Sequence, residues 1–414
     1  MVSTELVLSV FLAISLVASI VSRRTRTPYT LVLVLTGIVL AAASTPQLAD
    51  VGQAFQSLRS GGLFVGLILP PLLFESMMSV RTEEFRAVSR AALALATGGV
   101  VVATVVVGVI LWDFAGLPVS TAFLFAALIA PTDVATVLEI FKRTAVPSQL
   151  ATLMETESVF NDATGITILT VILSGFLAST SGLALFGAVG DGIFLFGGGA
   201  LIGFGVAWGA RKLQREIQDS LSQIVLTMAA VYGSYAIATA LGVSGLIAVA
   251  VTGLFYGNTV LFRIERWDIE EATREFWGIL AFFANTVAFL FIGFSTNILS
   301  LGGSIGFILI AYCVVMLSRA ASVYPILSLP SMLIGGVPNS WKNVAFLGGM
   351  RGALSIALVA SLPNTLPEYS TVVNMTFGVA VLSILLQGPL MTAYVSRYLG
   401  AERAPPVPTG PAAS

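Results

Sequence analysis

The sequence predicts an all-α polytopic membrane protein with about 13 transmembrane helices, and three observations carry that prediction. Of the 414 residues, 57% are apolar and only 10% are charged, and the mean hydropathy is +0.96. A soluble domain is about one quarter charged, so a water-soluble globule of this size would lack the charge to cover its surface. Apolar segments of about 20 residues, the length that crosses a bilayer, recur along the chain. Basic residues fall mainly in alternate connectors between these segments.

The composition also excludes several functional classes. The chain has no histidine and one cysteine, Cys313, which argues against histidine catalysis, structural disulfides and most zinc sites. The net charge of −1 gives no electrostatic reason to bind nucleic acid. The segment Gly242-Val-Ser-Gly matches the Gly-x-Ser-Gly of rhomboid-like proteases, but that serine needs a histidine base. No Gly-x4-Gly-Lys-Ser/Thr loop of an ATP-driven pump is present. We therefore expect neither enzyme activity nor a cofactor.

A window of about 20 apolar residues defines the predicted spans. The spans and their connectors make one transmembrane domain over 1–398, and the Pro-rich residues 399–414 are predicted to be a short disordered cytoplasmic tail. The predicted spans are 6–22, 29–47, 61–80, 91–112, 118–141, 149–178, 184–210, 220–241, 244–261, 274–297, 302–328, 341–362 and 369–397.

The basic residues predict the orientation of the chain. Seventeen of the 20 lie in connectors on one side, Arg59 alone lies on the other, and Arg319 and Arg351 fall inside spans. Because cytoplasmic loops are enriched in lysine and arginine, the N-terminus is predicted outside and the C-terminus in the cytoplasm. The protein is expected in the cell membrane.

The span 118–141 contains Pro131-Thr132-Asp133 near its middle. Proline has no amide hydrogen and disfavours helix at the residue before it, so a break near 130–133 is predicted. Backbone carbonyls freed at such a break are tolerated only inside the protein or beside a water-filled cavity. Two interpretations stay open and are compatible: Thr132 and Asp133 help coordinate a cation, or Asp133 caps the second half-helix of a proline kink.

The span 149–178 carries Glu157, Ser158, Asn161 and Asp162. Residues three and four apart share a helix face, so these side chains form one polar strip. At 1.5 Å per residue, Glu157 and Asp162 lie about 12 and 20 Å from the start of the span, within the hydrocarbon region. Hard cations prefer such oxygen ligands, and the alternative is a structural polar network.

The span 341–362 carries Arg351 within Gly348-Gly349-Met-Arg-Gly352. Arg351 lies about 13 Å deep, level with Glu157, so we predict a buried Glu157–Arg351 pair that leaves Asp162 to titrate. The glycines indicate a second broken or closely packed helix. Interrupted spans at matching positions of oppositely oriented halves indicate an inverted repeat around a midplane site.

Four further charged residues lie in predicted spans: Glu75, Arg319, Glu139 and Asp191. Similar depth predicts that Glu75 and Arg319 are partners, as a structural lock or, alternatively, with a role in transport. Glu139 lies near a cytoplasmic end and is expected to face water, and Asp191 has no assignment. The glycines around 197–203 fit a dimer interface or packing within the chain equally well.

Together these motifs resemble the monovalent cation/proton antiporters of the NhaP and eukaryotic Na+/H+ exchanger type. The family's Glu-Ser-x-x-Asn-Asp motif is matched at 157–162, its Thr-Asp at 132–133 and its Gly-x-Arg-Gly-Ala-Leu at 349–354. The resemblance covers about 6–397. It implies two inverted six-helix repeats, about 6–178 and 220–397, joined by a linking helix at 184–210. It also implies a homodimer in a lipid bilayer.

The resemblance further implies roles for particular residues. Asp162 would carry the ion or the proton, with Ser158 and Thr132 as Na+ ligands and Asp133 assisting. Glu157 belongs to the same polar site. The expected structural residues are Asn161, Arg351, Glu75 and Arg319. Asn161 in place of a second aspartate implies exchange of one Na+ for one H+. Alternatives are exchange of K+ or Li+ for H+, and a passive cation channel.

Overall fold

The computed structural model describes residues 4–25, 27–43, 64–144, 146–173, 182–217, 219–259, 267–294, 298–330, 336–362, 366 and 368–399. Every regular element in these ranges is a helix, as the sequence predicts. Arg59 and the tail after Leu399 lie outside these ranges, so the predictions for them stay predictions.

The helices follow the predicted spans in order along the chain. A π-helical turn at Phe64–Ile68 leads into α3, and another at Leu95–Gly99 lies within α4. The helices are α1 Thr4–Thr25, α2 Tyr29–Ala43, α3 Leu69–Ser79, α4 Thr82–Asp113, α5 Val119–Ile129, α6 Ala135–Arg143, α7 Ser148–Leu173, α8 Gly182–Gln214, α9 Ser220–Ala240, α10 Gly245–Thr259, α11 Trp267–Phe294, α12 Ile298–Leu327, α13 Asn339–Leu347, α14 Ala353–Ser361 and α15 Tyr369–Tyr398.

Length and apolar composition support membrane crossing for much of the described chain. Six described stretches are long and apolar enough to span a bilayer, in α4, α8, α9, α11, α12 and α15. Further apolar helices of 10 to 17 residues coincide with α2, α3, α5 and α10. The number of crossings, their orientation and the inverted repeat stay predictions, because no membrane is defined by these helices alone.

The two spans predicted to be interrupted are each a pair of short helices. The span 118–141 divides into α5 and α6, with Pro131 in the non-helical stretch between them. The span 341–362 divides into α13 and α14 around Gly348–Gly352. Gly349 packs closely there, because a Cβ on it would lie 2.8 Å from Arg319 Nε.

The glycines of α8 pack within the chain. A Cβ on Gly199 would lie 2.5 Å from the carbonyl oxygen of Ser244, and one on Gly203 would overlap the backbone at Ala248. Small residues at these positions let α8 and α10 approach closely. The structure therefore supports intramolecular packing for these two glycines. A Cβ added at Gly197, in contrast, would meet no atom of another described helix within 4 Å.

Candidate ion-binding site

The two interrupted helices meet at their breaks, and each provides hydrogen-bond partners for backbone groups of the other. The Asp133 N–H donates to the Met350 carbonyl at 2.8 Å. In the other direction, Arg351 Nη1 donates to the carbonyls of Ala130 and Pro131 at 2.5 and 2.9 Å. A buried backbone group without a partner is costly, so each break supplies what the other lacks.

Each charged side chain at this crossing lies at a helix end whose dipole has the opposite sign, which is favourable. Arg351 lies at the C-terminal end of α5, where the dipole is negative. The Asp133 Oδ1 accepts the Ala135 N–H at 2.8 Å, at the positive N-terminal end of α6. The same carboxylate lies so close to Gly352, beside the N-terminus of α14, that a Cβ there would overlap it. Asp133 therefore does cap the second half-helix.

The polar strip of α7 holds Thr132 in place. Asn161 Nδ2 donates to Thr132 Oγ1 at 2.7 Å, and Asn161 Oδ1 accepts the Thr132 N–H at 3.3 Å. Ser158 Oγ donates to the Thr132 carbonyl at 2.9 Å. A hydroxyl that donates one hydrogen bond keeps lone pairs for a cation. The strip is thus a structural network, and two of its oxygen-bearing side chains, Ser158 and Asp162, line the cavity described next.

A cavity of about 100 Å³ opens at the crossing of the broken helices. Four predicted site residues line it: Thr132, Asp133, Ser158 and Asp162. Asp162 is 9% exposed. No lysine or arginine among the described residues lies within ion-pair distance of its carboxylate. The cavity is large enough for water molecules and is walled by the oxygen ligands that hard cations prefer.

The predicted Glu157–Arg351 pair is wrong, because Glu157 pairs with Arg319 of α12. Arg319 Nη1 and Nη2 lie 2.5 and 3.0 Å from the two carboxylate oxygens, and Arg319 also donates to the Ala345 carbonyl. The error has a geometric cause. Residue counting gives depth along a helix, and both arginines lie at similar depth, but the direction in which each faces depends on how the helices pack.

The predicted Glu75–Arg319 lock is wrong for the same reason, since Arg319 is engaged by Glu157. Glu75 instead lines the cavity, as does its neighbour Ser76. The wall also includes Asn285 of α11 and Ser355 of α14, which sequence reasoning missed. A lone amide in the apolar run Phe-Phe-Ala-Asn285 was an available signal, because polar groups inside a span are costly.

Glu139 and Asp191 lie away from this cavity. Glu139 accepts the Tyr29 N–H with both oxygens, at 2.6 and 2.5 Å, and forms an ion pair with Arg143 at 2.8 Å. Glu139 therefore caps the first turn of α2 and keeps 20% of its side chain exposed. Asp191 lies on the exposed surface of α8.

Residues 11–397 match the family described as "Sodium/hydrogen exchanger, transmembrane". The chain is 33% identical to the Na(+)/H(+) antiporter ApNhaP of Aphanothece halophytica, over 95% of this chain and 74% of that protein. It is 31% identical to the Na(+)/H(+) antiporter NhaP of Pseudomonas aeruginosa, over 81% and 80%. Its fold is similar to that of the sodium proton antiporter MjNhaP1 of Methanocaldococcus jannaschii at pH 8, with a TM-score of 0.76, 23% identity and coverage of 96% and 99%.

Proposed function

Because this chain belongs to the sodium/hydrogen exchanger family, we propose that it is a Na+/H+ antiporter whose ion site is the cavity around Asp162. One observation carries the proposal. Asp162 is a buried carboxylate in a cavity at the crossing of two interrupted helices, with no cationic side chain of the described residues to neutralise it. A buried charge of this kind must be neutralised by something else, and a cation or a proton can do so.

The mechanism is competition between Na+ and H+ for one carboxylate. The ionised Asp162 binds Na+ together with oxygen atoms of Ser158 and Thr132, and protonation of Asp162 releases the cation. Only the neutralised site crosses readily between inward- and outward-facing states, because moving a bare carboxylate costs a large desolvation energy. Since the chain has no histidine, the exchanged proton must be carried by a carboxylate.

The surrounding residues hold this site in shape. Asp133 caps α6 and adds negative charge to the cavity wall, while Arg351 closes the end of α5. Asn161 fixes Thr132, and the Glu157–Arg319 pair joins α7 to α12. Glu75, on the same wall, is a further carboxylate near the path of the ion.

A single alternately loaded carboxylate predicts exchange of one Na+ for one H+. Asn161, the neighbour of Asp162, is an amide and therefore adds no second titrating charge. We further propose that the protein works as a homodimer in the cell membrane, with its C-terminus in the cytoplasm.

Purified protein in liposomes tests the proposal. An imposed Na+ gradient should drive proton movement, and Asp162→Asn should abolish it. Asp191→Asn is the matched control, because that acid lies exposed on α8 away from the cavity. Retained exchange in Asp162→Asn would overturn the assignment of the site.

Ion selectivity and stoichiometry need two further measurements in the same liposomes. Replacing Na+ by Li+ or K+ identifies the exchanged cation, and a preference for K+ would make the protein a K+/H+ antiporter. Clamping the membrane potential at different values should leave one-for-one exchange unchanged. Na+ flux without coupled proton movement would instead identify a passive channel.

A further inference from the structure

Ser355 of α14 carries a buried hydroxyl that has no hydrogen-bond partner among the described residues. The residue is 1% exposed, and its Oγ is enclosed by protein. Ser355 lines the same cavity as Asp133 and Asp162. A buried hydroxyl left without a partner costs about 1–3 kcal/mol, and a ligand in the cavity that accepts or supplies this interaction would offset that cost.

The break in the helix explains why this hydroxyl is available. Several buried serines in the described helices bond back to a carbonyl one turn earlier, as Ser234 does to Val231 and Ser383 does to Ala380. Ser355 is the third residue of α14, so no complete helical turn precedes it. Its usual acceptor one turn earlier in the helix is missing, and Ser355 is one of the residues that line the cavity.

The local electrostatics are compatible with a cation at this position. The N-terminus of α14 is a positive dipole end, which would by itself repel a cation. The Asp133 carboxylate, however, lies against Gly352 at that N-terminus and offsets the dipole. Asp162 adds a second negative group to the same cavity.

We propose that the Ser355 hydroxyl is a further oxygen ligand of the transported cation, supplied by the second interrupted helix. This inference rests on the proposed Na+/H+ exchange. The site then receives oxygens from both sides of the crossing: Thr132 beside the first break, Ser158 and Asp162 from α7, and Ser355 from α14. A ligand set divided between two broken helices makes cation affinity sensitive to their relative position, which alternating access changes.

Ser355→Ala tests the proposal, with Ser234→Ala as the matched control. Both substitutions remove a buried serine hydroxyl, but Ser234 bonds within its own helix and does not line the cavity. Loss of a ligand to a charged group predicts that Ser355→Ala raises the apparent KM for Na+ about tenfold and shrinks the Na+-dependent rise in Tm. Ser234→Ala should change neither measurement.

A second variant separates ligation from packing. Ser355→Cys keeps the approximate size of the side chain but replaces a hard oxygen by sulfur, so the preference of exchange for Tl+ over Na+ should rise. If both variants keep wild-type KM values and ion preference, Ser355 is not a ligand. Ser355→Ala would then only relieve an unsatisfied hydroxyl and raise Tm equally with and without Na+.

The outcome is distinguishable from failure of the proposed function. Absence of Na+-driven proton movement in the wild-type protein would overturn the antiport proposal itself. Wild-type exchange that is lost in Asp162→Asn but unchanged in both Ser355 variants would overturn only the role of Ser355.

Discussion

Glu157 and Arg319 form a bidentate ion pair between α7 and α12, and only 1% and 6% of their side chains are exposed. Arg319 also donates from Nε and Nη2 to the Ala345 carbonyl, so the guanidinium links three helices. Removing one member of a buried pair leaves the other charge without compensation, which costs more than losing the attraction alone.

Arg319→Met should therefore lower the free energy of unfolding by about 3–5 kcal/mol, because Glu157 would stay buried without a cation. The double variant Arg319→Met with Glu157→Leu should recover most of that loss, since neither charge remains. Thermal unfolding in detergent compares the stability of the single and the double variant with that of the wild type. If the double variant is no more stable than Arg319→Met, an uncompensated Glu157 charge is not the cause of the lost stability.

Arg351→Ala should behave differently, because Arg351 has no carboxylate partner in the described structure. It leaves the carbonyls of Ala130 and Pro131 without donors, and each costs about 1–3 kcal/mol when buried. We expect lower thermal stability that Glu157→Gln does not rescue. Rescue by Glu157→Gln would instead indicate a direct Glu157–Arg351 interaction.

Gly352→Ala should disrupt the crossing of the broken helices. The added methyl group would overlap the Asp133 carboxylate, which must then move away from the N-termini of α6 and α14. Overpacking of this kind costs about 1–3 kcal/mol, and we expect most Na+-driven exchange to be lost. Gly190→Ala is the control, because its added Cβ would meet no atom of another described helix within 4 Å. Equal exchange in the two variants would show that the contact is dispensable.

The N-terminus of α9 provides a pH-dependent contribution to stability outside the membrane. Asp219 accepts the Ser222 N–H at 2.8 Å, and this bond lowers the pKa of the Asp219 carboxyl. A lowered pKa in the folded state stabilises the fold above the unfolded pKa of about 3.9, and the benefit is lost as pH falls through the folded value.

Asp219→Ala should therefore lower Tm at pH 7, and the difference from wild type should shrink below about pH 4. Asp219→Asn keeps a capping oxygen without a titrating charge, so it should lie closer to wild type at pH 7. A Tm difference for Asp219→Ala that stays constant down to about pH 3 would contradict this cap.

The candidate site was largely visible in the sequence because ionisable and proline residues are rare inside apolar spans. Pro131 predicted the first break, and the spacing of Ser158 and Asp162 predicted their shared face. The structure brings both to one cavity with Thr132 and Asp133. The partners of the buried Arg319 and Arg351 could not be predicted from the sequence.

By itself, the sequence determined the all-helical membrane class, the two interrupted helices and the oxygen-rich strip, since these follow from composition and local backbone chemistry. Only the tertiary structure decided that Glu157 faces Arg319, that Glu75 lines the cavity and that Ser355 lies beside it with no partner among the described residues. The physical reason is that the helical rise gives the depth of each residue, whereas contact also requires the rotation and neighbours of its helix. The rotation of each helix and its neighbours are decided by close packing between side chains and glycines that are distant in the chain.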